Sequence, residues 1–193
     1  MRGTSLASLT AAQERFAPVL TAAGKIGRAI DFDGVNDYVS VADANSLDLT
    51  TGMTLEAWVQ LDTVSSWRQV VLKEAPGDLA YSLYANTTSN RPQTDISASG
   101  GYKSAGVGPA LTAGTWTHLA LTYDNAQLRL YKNGALVAQT AATGAIQAST
   151  LPLRIGGNTI WGEYTDGRID EVRVYNRALS AAEITTDMTK PVV

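Results

Sequence analysis

The sequence predicts an all-β fold in which two antiparallel sheets pack face to face as a sandwich. Three observations lead to this class. Roughly ten to thirteen short segments have the length and composition of strands, turn residues separate them, and almost no segment has helical periodicity. The strands alternate apolar and polar residues, which is typical of antiparallel sheets that bury only their inner faces.

The segment Met53–Leu61 is the clearest strand. Its apolar residues fall on one face of an extended chain: Leu55, Ala57, Val59 and Leu61. The residues between them would then point to the opposite face, so this strand is expected to contribute one row of side chains to the core.

The other strands follow the same pattern. In chain order they are RAIDFDG, DYVSVADA, RQVVLKEA, LAYSLYAN, the weaker TDISASG, TWTHLALTYD, LRLYK, ALVAQTAA, LPLRIGG and GRIDEVRVYN. Asn133-Gly134 predicts a tight hairpin because both residues tolerate a positive φ. Ser180 and Glu183 have the spacing of a capping box, which predicts a short C-terminal helical turn.

Composition narrows the function classes. The 193 residues suffice for one domain with a core, and no run of about 18 apolar residues could span a bilayer. The net charge of −3 argues against a nucleic-acid partner. There is no cysteine and one histidine, His118, which excludes disulfides, thiolate metal sites and sites built from several histidines.

Six motifs follow one another along the chain: AIDFDGVNDYVSV, MTLEAWVQ, TWTHLALTYD, LRLYKNGALV, LRIGG and GRIDEVRVYNRALSAAEI. In this order they resemble the motifs of LamG-like, concanavalin A-like jelly-roll domains of bacterial extracellular proteins. The chain resembles that family over about Ala22–Met188. The resemblance implies a jelly roll of about twelve to fourteen strands. It further implies a binding module for carbohydrate or for another extracellular protein or domain, without membrane insertion, located outside the cell or on its surface. We therefore expect an N-terminal flank or atypical first element at residues 1–20, the domain at 21–188 and a linker at 189–193.

One departure concerns the N-terminus. Members of the family begin with a strand of the type W-x-F-D-E, whereas this chain has LASLTAAQERFAP in that place. The sequence leaves open whether the first edge strand is missing, replaced or supplied from elsewhere. It equally leaves open whether that strand supplies a ligand to a binding site.

Many members of the family hold a structural calcium ion, and the resemblance implies that the strand ends carrying FDG and GRIDEV lie near each other. Asp33, Gly34 and Asp170 are then the predicted calcium ligands, since calcium prefers oxygen ligands. A second interpretation is that Asp33-Gly34 forms a turn and Asp170 accepts hydrogen bonds from loop amides. Glu171, adjacent in the strand, is expected to face the other way and to be solvated or paired with Arg173.

Catalytic chemistry has weaker support. Glycoside hydrolysis needs two carboxyl groups roughly 5–10 Å apart, one with a raised pKa. Asp31 and Asp33 share a face beside a turn, and Glu163 and Asp166 lie in a predicted loop, but neither pair has an evident partner that would raise a pKa. We expect His118 to be a partly exposed sheet residue, and no catalytic residue is predicted.

Loop aromatics are the candidate sugar platforms, because sugars stack their C–H faces on Trp and Tyr while polar side chains bind the hydroxyl groups. Trp58 and Trp116 lie in strands and are expected to be structural. The predicted ligand-binding residues are Trp67, Arg68, Tyr102, Asn158, Trp161 and Tyr164. The sequence thus favours a non-catalytic, lectin-like module with a structural calcium. A protein-interaction or adhesion module is the alternative, and a glycoside hydrolase or polysaccharide lyase domain ranks third.

Overall fold

Thirteen strands form two antiparallel sheets in the computed structural model, which describes residues 19–21, 23–106 and 108–192. The strands are β1 (Val19–Thr21), β2 (Ala29–Asp33), β3 (Val39–Val41), β4 (Met53–Leu61), β5 (Arg68–Ala75), β6 (Asp78–Asn86), β7 (Gln93–Ala98), β8 (Gly101–Ala105), β9 (Thr117–Tyr123), β10 (Gln127–Lys132), β11 (Ala135–Ala141), β12 (Leu153–Ile155) and β13 (Asp166–Tyr175). A 3-10 turn covers Asn45–Leu47, and one α-helix, α1, covers Ala181–Asp187. The predicted all-β sandwich is confirmed.

Each sheet mixes strands from distant parts of the chain. The seven-stranded sheet has the order β1-β2-β13-β4-β9-β10-β11, and the six-stranded sheet has the order β3-β12-β5-β6-β7-β8. All recorded strand pairs are antiparallel. The inner faces form one apolar core, to which the alternating residues of β4 contribute as predicted, with Leu55, Ala57 and Val59 fully buried.

Two strands, β1 and β8, lie in segments whose sequence does not clearly predict a strand. Val19–Thr21 pairs with Ala29–Asp31 as an edge strand, so an N-terminal strand is present although its sequence is atypical. Gly101–Ala105 pairs with Thr94–Ala98, which places Tyr102 in a strand and not in the predicted loop. The remainder of the expected N-terminal flank, residues 1–18, lies outside the described residues.

The outer face of the seven-stranded sheet is covered by the C-terminal segment, residues 176–192. Helix α1 begins with the predicted capping box, in which Ser180 and Glu183 bond each other's backbone N–H. Downstream, Trp58 Nε1 donates to the Met188 carbonyl at 3.1 Å, and Val192 N donates to the Glu171 carboxylate. Residues 189–192, which the sequence assigns to a linker, therefore pack against the domain.

No helix among the described residues is long and apolar enough to cross a membrane.

Candidate functional site

The outer face of the six-stranded sheet carries a second, smaller set of side chains. Along β6 the odd positions Tyr81 and Leu83 enter the core, so Ser82 and Tyr84 point outward. Tyr84 packs there with Leu72 and Leu79, and Trp67 and Ile160 lie against them. The loop between β12 and β13 thus folds back over this face of the sheet.

An open cleft of about 290 Å³ lies beside this cluster. The residues lining it are Trp67, Leu79, Tyr84, Asp95, Tyr102, Trp161 and Glu163. Trp161 is 46% exposed and Tyr102 is 51% exposed, unusually high fractions for large aromatic side chains. Trp67 meets the Tyr84 ring edge-on, with 5.0 Å between ring centroids. The cleft therefore offers aromatic surface to solvent.

Asn158 positions the loop that forms one wall of the cleft. Its backbone N–H donates to the Glu163 carbonyl at 3.0 Å, and its side-chain oxygen accepts from Trp161 N at 2.8 Å. Its side-chain nitrogen donates to Glu163 Oε2 at 2.9 Å, and Tyr84 Oη donates to the same oxygen at 2.7 Å. Burial and the Glu163 carboxylate raise the pKa of the Tyr84 hydroxyl, which therefore remains a donor. Among the described residues, Glu163 Oε1 has no hydrogen-bond partner.

Asp95 lies at the floor of the cleft, fully buried in the middle of β7. Its Oδ1 accepts from Gln93 Nε2 at 2.8 Å and from Ser104 Oγ, and its Oδ2 accepts from Ser82 Oγ at 3.1 Å. Burial raises the pKa of Asp95, although these hydrogen bonds oppose the rise. The carboxyl group is thus surrounded by neutral donors.

The six predicted ligand-binding residues separate into three groups. Trp67, Tyr102 and Trp161 line the cleft together, and Asn158 lies fully buried behind it as a positioning residue. Arg68 and Tyr164 do not line the cleft: Arg68 Nη1 donates to the Tyr164 carbonyl at 2.8 Å, and Nη2 donates to Thr63 Oγ1 at 2.7 Å. The Arg68 guanidinium therefore joins two loops.

The predicted calcium ligands are not brought together. Asp33 lies opposite Asp166 in the β2–β13 pairing, and Asp170 lies four residues further along β13. That spacing is about 13 Å at ~3.3 Å per residue, whereas ligands of one calcium ion lie ~2.3–2.6 Å from the metal. The two carboxylates do not fit as ligands of one ion. Among residues 19–21, 23–106 and 108–192, no group of three or more acidic, histidine or cysteine side chains could hold a metal.

Each aspartate instead accepts hydrogen bonds from backbone N–H groups. Asp33 Oδ1 accepts from Val35 N at 2.8 Å and from Asn36 N at 3.2 Å, which closes the turn where Gly34 has a φ of +73°. Asp170 Oδ2 accepts from Ile26 N at 2.9 Å, and its Oδ1 accepts from Glu171 N at 2.8 Å. This arrangement matches the second interpretation drawn from the sequence.

A buried polar cluster, consisting of Glu56, His118, Glu171, Arg173 and Asp187, lies beneath the C-terminal segment. Arg173 Nη2 pairs with Glu171 at 2.9 Å, as predicted, and its Nη1 lies 3.6 Å from Glu56 Oε1. Burial and the nearby Asp187 raise the pKa of Glu56 to about 8, whereas Arg173 opposes the rise. His118 is fully buried, which corrects the expected partial exposure, and burial lowers its pKa to about 3.

Sequence reasoning missed two of the residues that shape the cleft. Tyr84 had a usable signal, because the alternation in β6 places it on the polar face with Ser82. Asp95 had none, since a single acidic residue in a weak strand does not indicate a partner. Glu163 was considered only as a catalytic acid, and its position between Asn158 and Tyr84 depends on pairing between distant segments.

Comparison with known proteins assigns the chain to a family. A family model described as the concanavalin A-like lectin/glucanases superfamily matches residues 33–185. A comparison with curated proteins found no match.

Solved structures share the fold at low sequence identity. Domain 4 of AbnA, an extracellular arabinanase from Geobacillus stearothermophilus solved with arabinotriose, has a TM-score of 0.75 and 21% identity over 91% of this chain and 83% of that one. The binding domain of Paraclostridial Mosquitocidal Protein 1 has a TM-score of 0.68 and 15% identity, covering 92% of this chain and 46% of that one. Domains LG4-5 of the mouse laminin α1 chain have a TM-score of 0.63 and 13% identity, covering 79% and 44%. At such identities the likeness shows the fold alone.

Proposed function

The chain belongs to the concanavalin A-like lectin/glucanases superfamily, and we propose on this basis that it is a non-catalytic carbohydrate-binding module of a larger extracellular bacterial protein. The observation that carries the proposal is the aromatic cleft on the six-stranded sheet. A sugar ring stacked on exposed Trp161 and Tyr102 would have its hydroxyl groups beside Glu163. Arabinotriose in the structure of the arabinanase domain gives a precedent for sugar binding by this fold.

Carbohydrate recognition needs an apolar platform and a few polar groups with free hydrogen-bonding capacity. Glu163 meets this need because Tyr84 and Asn158 both bond Oε2, leaving Oε1 to accept from a ligand hydroxyl. These two contacts also fix the direction of the carboxylate. The site thereby combines one oriented acceptor with aromatic surface.

The environment of Asp95 supports binding without catalysis. Glu163 and Asp95 are the two carboxyl groups lining the cleft, and glycosidases use such a pair as acid and nucleophile or base. Asp95 is fully buried, and its oxygens accept from Gln93, Ser104 and Ser82. A carboxylate has about four lone-pair sites, so little capacity remains for a substrate or a water nucleophile.

The proposal does not include calcium, since the predicted ligands Asp33 and Asp170 lie at separate places on β2 and β13.

A glycan array followed by titration calorimetry tests the proposed function. Trp161 is 46% exposed and so offers roughly 115 Å² of about 250 Å² for a whole tryptophan. Complete covering at about 25 cal/mol per Å² contributes up to ~3 kcal/mol, so Trp161→Ala should weaken binding by about 10- to 100-fold. Leu136→Ala is the matched control, because Leu136 is 48% exposed on β11 of the other sheet and should not affect affinity. A silent array, or equal losses in both variants, would refute the proposal.

The alternative, a protein-interaction module, is favoured by a different observation. Val19 and Leu20 on β1 are 67% and 52% exposed, and no strand of the described residues pairs with the outer edge of β1. An open strand edge is a common docking place for another chain. If Val19→Asp leaves glycan binding unchanged, the strand edge is not the glycan-binding site.

A further inference from the structure

The cleft carries negative charge that no basic side chain of the described chain balances. Glu163 accepts from Tyr84 and Asn158, and Asp95 accepts from Ser82, Gln93 and Ser104, all of which are neutral donors. Neither carboxyl group takes part in any ion pair found among the described residues, and neither lysine nor arginine lines the cleft. Two acidic side chains elsewhere have such a partner: Glu171 is paired with Arg173 and Glu74 with Arg154.

The walls of the cleft are suited to a cation. The same cleft is lined by the two carboxyl groups and by four aromatic side chains: Trp67, Tyr84, Tyr102 and Trp161. An aromatic ring presents a negative face, which attracts ammonium groups and does not attract a carboxylate or sulfate. Glu163 Oε1, which has no partner in the described structure, can accept a charge-assisted hydrogen bond from such a group.

We propose that the cleft selects glycans by charge and binds the protonated amine of an amino sugar. This inference depends on the proposed function and names its ligand class. The ammonium group lies against Glu163 and supplies the missing positive charge, while the sugar ring stacks on Trp161 and Tyr102. Glycans that carry uronate or sulfate groups are rejected, because their charge has the same sign as the cleft.

A pair of matched oligosaccharides tests the proposal directly. The β-1,4-linked tetramers of glucosamine and of N-acetylglucosamine have the same linkage and length but differ in the charge at C2. We expect the wild-type domain to bind the glucosamine tetramer about tenfold more tightly, the gain expected when a neutral hydrogen bond becomes charge-assisted. Rising ionic strength should reduce this ratio, because salt screens exposed charges.

Glu163→Gln is the informative variant, because glutamine keeps the shape and an acceptor oxygen but removes the charge. The affinity ratio of the two tetramers should fall towards one in this variant and should stay at the wild-type value in Leu136→Ala. A melting curve confirms that Glu163→Gln is folded. The ratio and its salt dependence in the wild type provide a second measurement that does not depend on any variant.

Three results would overturn the inference. They are equal affinity for the two tetramers, tighter binding of the acetylated tetramer, and binding of oligogalacturonate as tight as that of the glucosamine tetramer. If the domain binds neutral glycans without this preference, the inference fails and the proposed function stands. If no glycan binds, the proposed function fails as well.

Discussion

We expect the protein to lose stability between pH 6.5 and 8 because of one buried carboxyl group, Glu56. This side chain is fully buried beneath the C-terminal segment, and neither of its oxygens has a hydrogen-bond partner in the described part of the chain. Burial and the neighbouring Asp187 raise its pKa from 4.5 to about 8. The folded state therefore holds a proton that the unfolded chain releases at lower pH.

The sign and size of this pH dependence follow from the difference in bound protons between the folded and unfolded states. Between pH 4.5 and 8 the folded state binds more protons at Glu56 than the unfolded state does, so the free energy of unfolding falls as the pH rises. His118 acts in the opposite direction but only below pH 6.5, because its pKa is lowered from 6.5 to about 3. Above pH 6.5 the His118 contribution fades, and the Glu56 effect amounts to about 1.4 kcal/mol per pH unit, or roughly 2 kcal/mol by pH 8.

Urea denaturation of the wild type and Glu56→Gln at pH 6.5 and at pH 8 measures this effect. The variant should lose the fall in unfolding free energy, since glutamine does not titrate. Glu183→Gln is the control: its carboxyl group is exposed, with a pKa lowered to about 2 by Arg177 and Ser180, so the wild-type pH dependence should persist. A wild-type free energy that stays level or rises over this range, or a slope that survives in Glu56→Gln, would refute the reasoning.

Two further predictions concern the loops. Asn158→Ala should weaken glycan binding, because the side-chain amide bonds both Trp161 N and Glu163 Oε2. The variant should also lose about 1–3 kcal/mol of stability, because buried polar groups are left without partners. Calorimetry and thermal melting measure the two losses, and unchanged affinity would contradict the positioning role. Asp170→Ala should lower the melting temperature equally with and without EDTA, because the carboxylate accepts from Ile26 N and Glu171 N. If EDTA instead lowers the melting temperature of the wild type but not that of the variant, the result would support a bound calcium ion.

The fold was predictable because the alternation of apolar and polar residues indicates which face of each strand is buried. In β4 the inward row of Leu55, Ala57 and Val59 is visible in the sequence and is confirmed. The outward residues Glu56 and Trp58 were expected on a polar face, yet both are buried under the C-terminal segment. The alternation within β4 cannot indicate this burial, because the residues that cover Glu56 and Trp58 lie more than a hundred positions further along the chain.

The candidate site was predictable only in part, for a related reason. Trp67 and Trp161 were predicted as loop aromatics that could stack a sugar, and the fold brings them to one cleft. Arg68 lies outside the cleft, and the sequence could not indicate this, because an arginine near a tryptophan looks the same whether it contacts a ligand or the Tyr164 carbonyl. The separation of Asp33 from Asp170 depends on strand register, which is set by pairing across the sheet and not by either motif alone.

The three hydrogen bonds that Asn158 makes within its own loop have a consequence for the energetics of recognition. Because they hold Trp161 and Glu163 in place in the free protein, an incoming sugar does not have to freeze a mobile loop. Little conformational entropy is then lost on association, so the ligand meets a rigid template. Free and liganded crystals should accordingly superpose closely along this loop, and association should proceed in one kinetic phase.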